Sequence, residues 1–511
     1  MIDDTISKKI KSLDELSHVT AKLRRDKKAV VHCHGVFDLV HLGHIRYFYG
    51  AKKEGDILVV TLTADQFVKR GPGRPIFNEQ LRAEQVACLE VVDYVAIVPE
   101  ATALSAIRAI RPAVYAKGPD YQEKHKDITG MITAEEKAVR AVGGKLVITH
   151  DITFSSSNLL NTFFDNYPEA TRAYLRRLAR NFSIDKIMEY LDASRNLKVL
   201  VIGDAIIDQY HYCAPLGKSS KEPLIVHLYD SHEDFCGGAL ASANHVAQVT
   251  PRTHLVSVLG KRDSWQDFIN NHLEAPVRAK YFMRPDANTT IKRRYISSTG
   301  NRKVFEVCYM NDKPISPEIE KKIQAHLRAS LPKVDLVVVN DFGHGFLTPG
   351  LINTISRGAK KLAVNVQTNS ANMGFNLITK YPRADFVCID EQELRFATHD
   401  KQADIKVLIK RVQKQLRSRL IITTRGSKGS MSYAPGIGFT TSPALTPRVV
   451  DPVGAGDAFF AYTAPCFASG VPVPVICFIG NVVGALAVQI VGNRSAVKKV
   501  DVIKFMTRLL K

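Results

Sequence analysis

Residues 29–44 read Ala29-Val30-Val31-His32-Cys33-His34-Gly35-Val36-Phe37-Asp38-Leu39-Val40-His41-Leu42-Gly43-His44. The first six form a short apolar run, the pattern of a buried strand, and residues 42–53 read as a helix. Between them lies a loop that carries His41 and His44. A strand that hands over to a helix through such a loop presents free backbone N–H groups and the positive end of the helix dipole, a setting for an anion. Two imidazoles three residues apart can reach one phosphate group. Fixed donors at that point stabilise the charge that grows on an attacked α-phosphate without any protein nucleophile. Gly43 lets the backbone approach closely.

Working outward, residues 7–26 suit an opening amphipathic helix, with Ile10, Leu13, Leu16 and Leu23 spaced along it. Further strands are expected at 56–63, 94–98, 113–116 and 145–148, with a helix at 78–90. Apolar strands alternating with helices predict a parallel, doubly wound α/β sheet. Residues 165–195 are charged and helix-prone, with Pro168 near their start, and read as a helical linker. A fresh strand begins at 198–204, followed by strands at 336–339, 362–366, 386–389 and 420–424. The expected organisation is therefore a first domain over 1–164, the linker over 165–195, and a second α/β domain over 196–511.

Composition narrows the function classes. The chain has 511 residues, 70 Lys and Arg against 50 Asp and Glu, and a formal charge of +20. The basic residues are dispersed, and neither an RNA-binding aromatic signature nor zinc-finger spacing accompanies them, so nucleic acid is not an expected partner. Small anionic substrates and solvated helix faces account for the excess. The eight cysteines form no C-x-x-C pair, which suits reduced thiols and a cytoplasmic protein. The acidic start, Met1-Ile2-Asp3-Asp4, is unlike a signal peptide. The apolar stretch Val471 to Val491 has the length of a membrane span. Pro472, Pro474, Asn481 and Gln489 interrupt it, and a buried helix is expected instead.

A second anion-handling string lies near the end: Asp451-Pro452-Val453-Gly454-Ala455-Gly456-Asp457-Ala458-Phe459. The N–H groups of Gly454, Ala455 and Gly456 can cradle a γ-phosphate at a helix start. Asp457 then sits where it can take a proton from an attacking hydroxyl. Phosphoryl transfer asks mainly for positioning and charge neutralisation. Gly217-Lys218-Ser219 looks like the tail of a Walker motif, but Tyr212 stands where its first glycine belongs.

Residues 29–160 resemble the cytidylyltransferase-like nucleotidyltransferases of the H-x-G-H superfamily. The likeness continues through Lys69-Arg70, Gly73-Arg74-Pro75, Arg82 and Glu90 to Val95. Lys117-Gly118-Pro119-Asp120-Tyr121 is similar to the K-G-x-D-Y segment of heptose 1-phosphate adenylyltransferases. Phe154-Ser155-Ser156-Ser157-Asn158 takes the place of a phosphate-binding turn. The R-T-E-G-I-S-T string of glycerol-phosphate and choline-phosphate cytidylyltransferases is missing there, which points to the heptose branch and leaves the base open. The resemblance implies that Gly35, Phe37 and Asp38 lie near the nucleotide and that His41 and His44 contact the triphosphate. It also gives Lys69, Lys117, Ser155, Ser156 and Ser157 to the nucleotide and its phosphates.

Residues 196–511 resemble the ribokinase-type sugar kinases. By that resemblance Asp204, Asp208, Gly237, Gly238, Asn244 and Asp341 bind the sugar, and Thr424 and Gly426 join Gly454, Ala455 and Gly456 on the nucleotide. Asp457 is the base, and Asp390 and Glu393 help place a metal. The chain departs from the pattern at His344, where related heptose kinases tend to have Lys, and at Asn365-Val366-Gln367, where they have D-P-K. The pairing is similar to the bifunctional heptose kinase/adenylyltransferases of ADP-heptose synthesis, with the domain order reversed. It implies ATP and Mg2+ as cofactors, with CTP as the alternative for the first domain, and nucleoside triphosphates and sugar phosphates as ligands. The product would feed lipopolysaccharide or capsule synthesis. A homodimer through a small β lid, built from 209–232 and 288–309, is also implied. Two rivals stand beside this: a CDP-sugar or CDP-polyol synthase with a polyol kinase, and a degenerate member with a binding role.

Overall fold

The structure is a computed structural model that describes residues 4–68, 71–118, 131–149, 167–298 and 302–510. Lys69, Arg70, Pro119 to Tyr121, and Phe154 to Asn158 with Ser155, Ser156 and Ser157 lie outside the described residues. The chain forms two compact units, Met1–Tyr167 with Ile503–Lys511, and Pro168–Val502.

The first unit holds a five-stranded sheet of β1 (Val30–Gly35), β2 (Ile57–Thr63), β3 (Tyr94–Val98), β4 (Val114–Lys117) and β5 (Lys145–Ile148). Their order is β3-β2-β1-β4-β5, and every pairing is parallel. This is the doubly wound sheet expected from the apolar strands. The order reverses between β1 and β4, so a crevice opens at the carboxyl end of β1, where Gly35 begins the histidine loop. The predicted opening helix runs Leu13–Arg25, started by a Ser12–Glu15 capping box. The helices after β1 and before β3 run Leu42–Lys52 and Glu79–Ala87.

The second unit has two sheets. The strands are β6 (Lys198–Gly203), β7 (Ala205–Lys218), β8 (Ile225–Gly238), β9 (Arg252–Gly260), β10 (Arg278–Arg284), β11 (Thr290–Ser297), β12 (Arg302–Tyr309), β13 (Leu336–Asp341), β14 (Leu362–Val366), β15 (Phe386–Asp390), β16 (Leu420–Thr424), β17 (Ser430–Ala434) and β18 (Gly438–Ser442). The large sheet runs β10-β9-β6-β13-β14-β15-β16-β17-β18. Its strands are parallel except at β17 and β18. Its switch point is β6–β13, which sets Gly203-Asp204 beside Asn340-Asp341. The smaller sheet, β12-β11-β7-β8, is built from the two segments expected to form the lid.

The stretch tested as a membrane span is the helix Val473–Ala487, buried at most positions and packed with the helix Ala455–Ala468. Among the described residues no helix is long and apolar enough to cross a membrane. All eight cysteines are free thiols.

Arg82 ties the first unit's crevice together. It is fully buried. Its guanidinium donates to the carbonyls of Phe77, Val36 and Thr63 and to the Asp65 carboxylate at 2.6 Å. One side chain thus joins the histidine loop, the end of β2 and the start of the helix Glu79–Ala87. We predict that Arg82→Leu orphans these acceptors and destabilises the first unit by roughly 3 kcal/mol. Thermal unfolding should show the loss in the transition assigned to this unit.

Candidate functional site

In the first unit, loop geometry aims two imidazoles at one point. A Cβ on Gly35 would lie 2.9 Å from the Phe37 ring, so only glycine leaves room for that ring to fold back. Phe37 itself adopts φ +47°, a left-handed conformation that a bulky residue rarely takes. Its ring meets His44 edge-on at 5.2 Å and Phe48 at 5.0 Å. His41 caps the helix Leu42–Lys52, and its Nδ1 accepts the Gly43 N–H at 3.0 Å. That bond leaves the His41 proton on Nε2. The His41 and His44 rings stack with centroids 4.0 Å apart and planes 24° from parallel. Burial lowers the His41 pKa, favouring a neutral donor.

Two other residues expected at the nucleotide are engaged elsewhere. Asp38 is buried, and its Oδ1 accepts the N–H groups of Ile76 and Phe77 at 2.7 and 3.2 Å while Arg74 donates to Oδ2 at 3.2 Å. These contacts tie residues 74–77 to the loop after β1. Lys117, at the end of β4, forms a buried ion pair with Glu135 at 3.0 Å.

In the second unit the glycine turn leads into the helix Ala455–Ala468. Gly454 caps it at φ +80°, and a Cβ there would lie 2.1 Å from Asn493 Oδ1. Ala455 and Gly456 open the helix, and Asp457 sits in its first turn, buried. Gln367, at the end of β14, donates to Asp457 Oδ1 at 2.5 Å. Burial raises the Asp457 pKa to about 7, and the Asp208 charge adds to the rise. The Gln367 bond and the Lys292 charge pull the other way. A carboxylate poised near neutrality suits a general base.

The surrounding acids are held by partners from distant segments. Asp204 Oδ2 accepts the Phe342 N–H at 2.9 Å, and burial raises its pKa. Asp208 receives Arg294 at 2.6 Å and Asn493 at 3.1 Å. Gly237 and Gly238 end β8, opposite Ile206 and Ala205. Asn244 spends its amide on the His272 carbonyl and the Glu274 N–H. Asp341 is fully buried and takes the Tyr381 hydroxyl at 2.6 Å and Lys380 at 2.7 Å. Thr424 ends β16, and Gly426 follows it in a tight turn. Among the described residues several buried polar atoms here lack a hydrogen-bond partner: His344 Nε2, Asn365 Oδ1 and Thr368 Oγ1. Such groups are costly unless a ligand completes them.

Asp390 and Glu393, expected near a metal, form a capping box on the helix Glu391–Thr398, with Asp390 Oδ1 accepting the Glu393 N–H at 2.6 Å and Glu393 Oε2 accepting the Asp390 N–H at 2.8 Å. Burial, with Asp390 beside it, raises the Glu393 pKa to about 8. Among the described residues no group of three or more His, Cys, Asp or Glu side chains is placed to hold a metal. A hard cation here would keep mostly phosphate and water ligands.

Three residues were given no role from the sequence. Lys292 on β11 is buried, with its ammonium 5.7 Å from the Phe342 ring centre and close enough to Asp457 to lower its pKa. Among the described residues it pairs with no carboxylate, which leaves it able to neutralise a phosphate. Asp451 accepts from Tyr210 of β7 and from Lys303 of β12, both at 2.6 Å, and from the N–H groups of Val453 and Gly492. Those donors lower its pKa despite burial. Gln367 completes the set. The alternation of Lys292 and Arg294 on one strand face was the available signal for the first. Asp451 opens the glycine string and Gln367 departs from the family pattern, but no local signal gives their partners, which lie far along the chain.

Residues 196–499 match the family described as pfkB family carbohydrate kinase, and residues 32–162 match the family described as Cytidylyltransferase-like. The chain is 42% identical over 139 residues to "Bifunctional protein HldE" of Aliarcobacter butzleri, covering 27% of this chain and 29% of that protein. It is 40% identical over 156 residues to the protein of the same name from Campylobacter fetus subsp. fetus, covering 30% of this chain and 31% of that one. These alignments span less than a third of each relative's length. A solved structure of phosphofructokinase-2 from Escherichia coli, in complex with substrates and products, superposes with a TM-score of 0.50 at 10% identity, covering 62% of this chain and 100% of that one. That likeness speaks to fold alone.

Asp457→Asn should lower phosphoryl transfer by roughly 10²–10⁴-fold and leave the first unit's chemistry unchanged. A base must be ionised, so kcat/KM for this step should rise with pH through about 7. The pKa is raised on folding, so the folded state holds the proton more tightly, and stability falls as pH climbs from the unfolded value through about 7. Asp457→Asn should therefore raise the melting temperature of the second unit at about pH 8. Gln367→Lys should move the rate profile to lower pH. Lys292→Met should slow turnover by roughly 10²-fold with the pH midpoint moved slightly upward.

Proposed function

Because the chain belongs to the pfkB family of carbohydrate kinases, we propose that its second unit transfers the γ-phosphate of ATP to a hydroxyl of a heptose-like sugar or sugar phosphate. We further propose that its first unit joins a sugar 1-phosphate to a nucleotide, releasing pyrophosphate. The observation that carries the first half is the Asp457 carboxylate, poised near neutrality in the first turn of a helix whose glycine turn presents N–H groups. The stacked pair His41 and His44 at the carboxyl end of β1 supports the second. Similarity to proteins named as bifunctional agrees with two activities in one chain.

In the kinase step Asp457 takes the hydroxyl proton as the oxygen attacks the γ-phosphorus, the bond to the β–γ bridging oxygen breaks, and ADP leaves. The N–H groups of Gly454, Ala455 and Gly456 hold the transferred group, and Lys292 offsets its charge. Mg2+ would be held chiefly by the nucleotide's phosphates, and when bound it would supply further charge neutralisation. His344 Nε2, Asn365 Oδ1 and Thr368 Oγ1 supply polar contacts that a bound ligand would complete. In the nucleotidyl step the sugar phosphate oxygen attacks the α-phosphorus, the bond to the bridging oxygen breaks, and pyrophosphate leaves. His41 and His44 donate to the oxygens that gain charge. ATP is the favoured nucleotide and CTP the alternative.

Purified protein supplied with heptose phosphates and each nucleoside triphosphate should release ADP in one assay and pyrophosphate in the other. His41→Ala should abolish only pyrophosphate release, and Asp457→Asn only ADP release. Absence of pyrophosphate with every nucleotide and sugar phosphate would rule out the second activity. We also propose that the chain dimerises through the lid sheet, where Leu216, Ile225, Leu228 and Phe305 are exposed. Light scattering should report a dimer for the native chain and a monomer for Leu228→Lys.

A further inference from the structure

The second unit has a basic groove at the end of its large sheet opposite the kinase residues. It is lined at the starts of β6, β9 and β10, whereas Asp204 and Asp341 follow or end strands at the carboxyl edge. Its volume is about 360 Å³. Strand alternation places Lys198 and Leu200, His254 and Val256, and Arg278 and Lys280 on one face. Register sets His254 between Leu200 and Arg278. The helix Pro317–Ser330 packs on the same face through Ile323 and Leu327, and it adds His326 and Ser330 at its end. Lys333 follows on the next turn. Leu200, Val256 and Val334 are buried and form an apolar floor.

Six basic side chains thus converge, and no carboxylate lines the groove. Among the described residues, Lys198, Arg278, Lys280 and Lys333 form no ion pair. The nearby Asp335 accepts the Lys198 backbone N–H and faces Lys360 instead. Ser330 donates to the His326 carbonyl, and Phe282 meets the His326 ring edge-on. The two histidines register the unbalanced field. Burial and Arg278 lower the pKa of His254; burial, Lys280 and His254 lower that of His326.

Two simpler roles fall short. Charges on the edge strand β10 discourage pairing with another chain, but Lys198 and His254 lie on interior strands. The helix C-terminus offers a partial negative charge, which balances only part of the cluster.

We propose that this groove binds a small phosphorylated metabolite, a phosphomonoester or diphosphate, at a site separate from both catalytic crevices. The volume suits a sugar phosphate or a nucleotide. The cations take the phosphate through charge-assisted bonds, and the apolar floor takes the carbon skeleton. An anion seated beside His254 and His326 raises their pKa values, so binding draws protons into the site and strengthens as pH falls.

The probe is inorganic pyrophosphate, titrated calorimetrically into the full chain at low salt. The double variant Arg278→Ala/Lys280→Ala should weaken one binding event about tenfold or more, while the control Lys321→Ala/Lys322→Ala leaves it intact. Lowering the pH from about 7.5 to about 6 should tighten that event in the native chain relative to His254→Gln/His326→Gln, in which only the probe's own protonation changes the affinity. Circular dichroism checks that each variant folds. Equal stoichiometry and affinity in the native chain and the Arg278/Lys280 variant overturns the proposal. So does an equal loss in the control, which marks diffuse attraction to a basic protein, and so does a pH dependence that is the same in the native chain and in His254→Gln/His326→Gln.

Discussion

Removing a carboxylate from water raises its pKa unless partners restore what hydration supplied, and Asp457 is where this protein leaves that debt partly unsettled. The neighbouring acids show the contrast. Asp451, equally cut off from solvent, gains Lys303, Tyr210 and two backbone donors, and its pKa falls. Asp457 gains one amide from Gln367 and a nearby ammonium, feels the charge of Asp208, and stays near 7. The difference between a structural acid and a reactive one is therefore the number and charge of donors that the folded chain delivers to each.

The same constraint explains the lid. Strands β7, β11 and β12 carry Tyr210, Lys292, Arg294 and Lys303 into the second unit's cleft. Two of these hold Asp451 at the base of the glycine turn, and Arg294 holds Asp208. The lid thus brings positive charge to the cleft and fixes the turn at the start of the helix Ala455–Ala468. Losing the lid would leave several buried acids unpaired at once, the costly outcome for charges already out of water.

The first unit meets a related problem with neutral groups. Its imidazoles are aligned by ring contacts and by the His41 cap, and Arg82 anchors the loop from beneath. The first unit places its histidines where β1 gives way to a helix, and the second sets its glycine turn at the start of a helix that packs against β13, a strand of the switch point. Strand carboxyl ends and helix amino ends meet there, so backbone donors gather without side-chain expense.

How much of this was legible in the sequence depends on range. Apolar runs, glycine turns and the two anion strings are local, and they determined the two α/β units, the strand positions, and the placement of His41, His44 and Asp457 at loop–helix junctions. Period-two alternation also held the signal for Lys292. The partners of Asp38, Lys117, Asp341 and Asp451 lie on other elements, some far along the chain, and no spacing rule encodes them. Asp390 and Glu393 read as metal-placing acids by resemblance, and the capping box they form on a helix was not read from the sequence. Tertiary structure alone decided which acids are neutralised, because a pKa depends on every charge and donor within a few ångströms and those arrive from segments the linear order keeps apart.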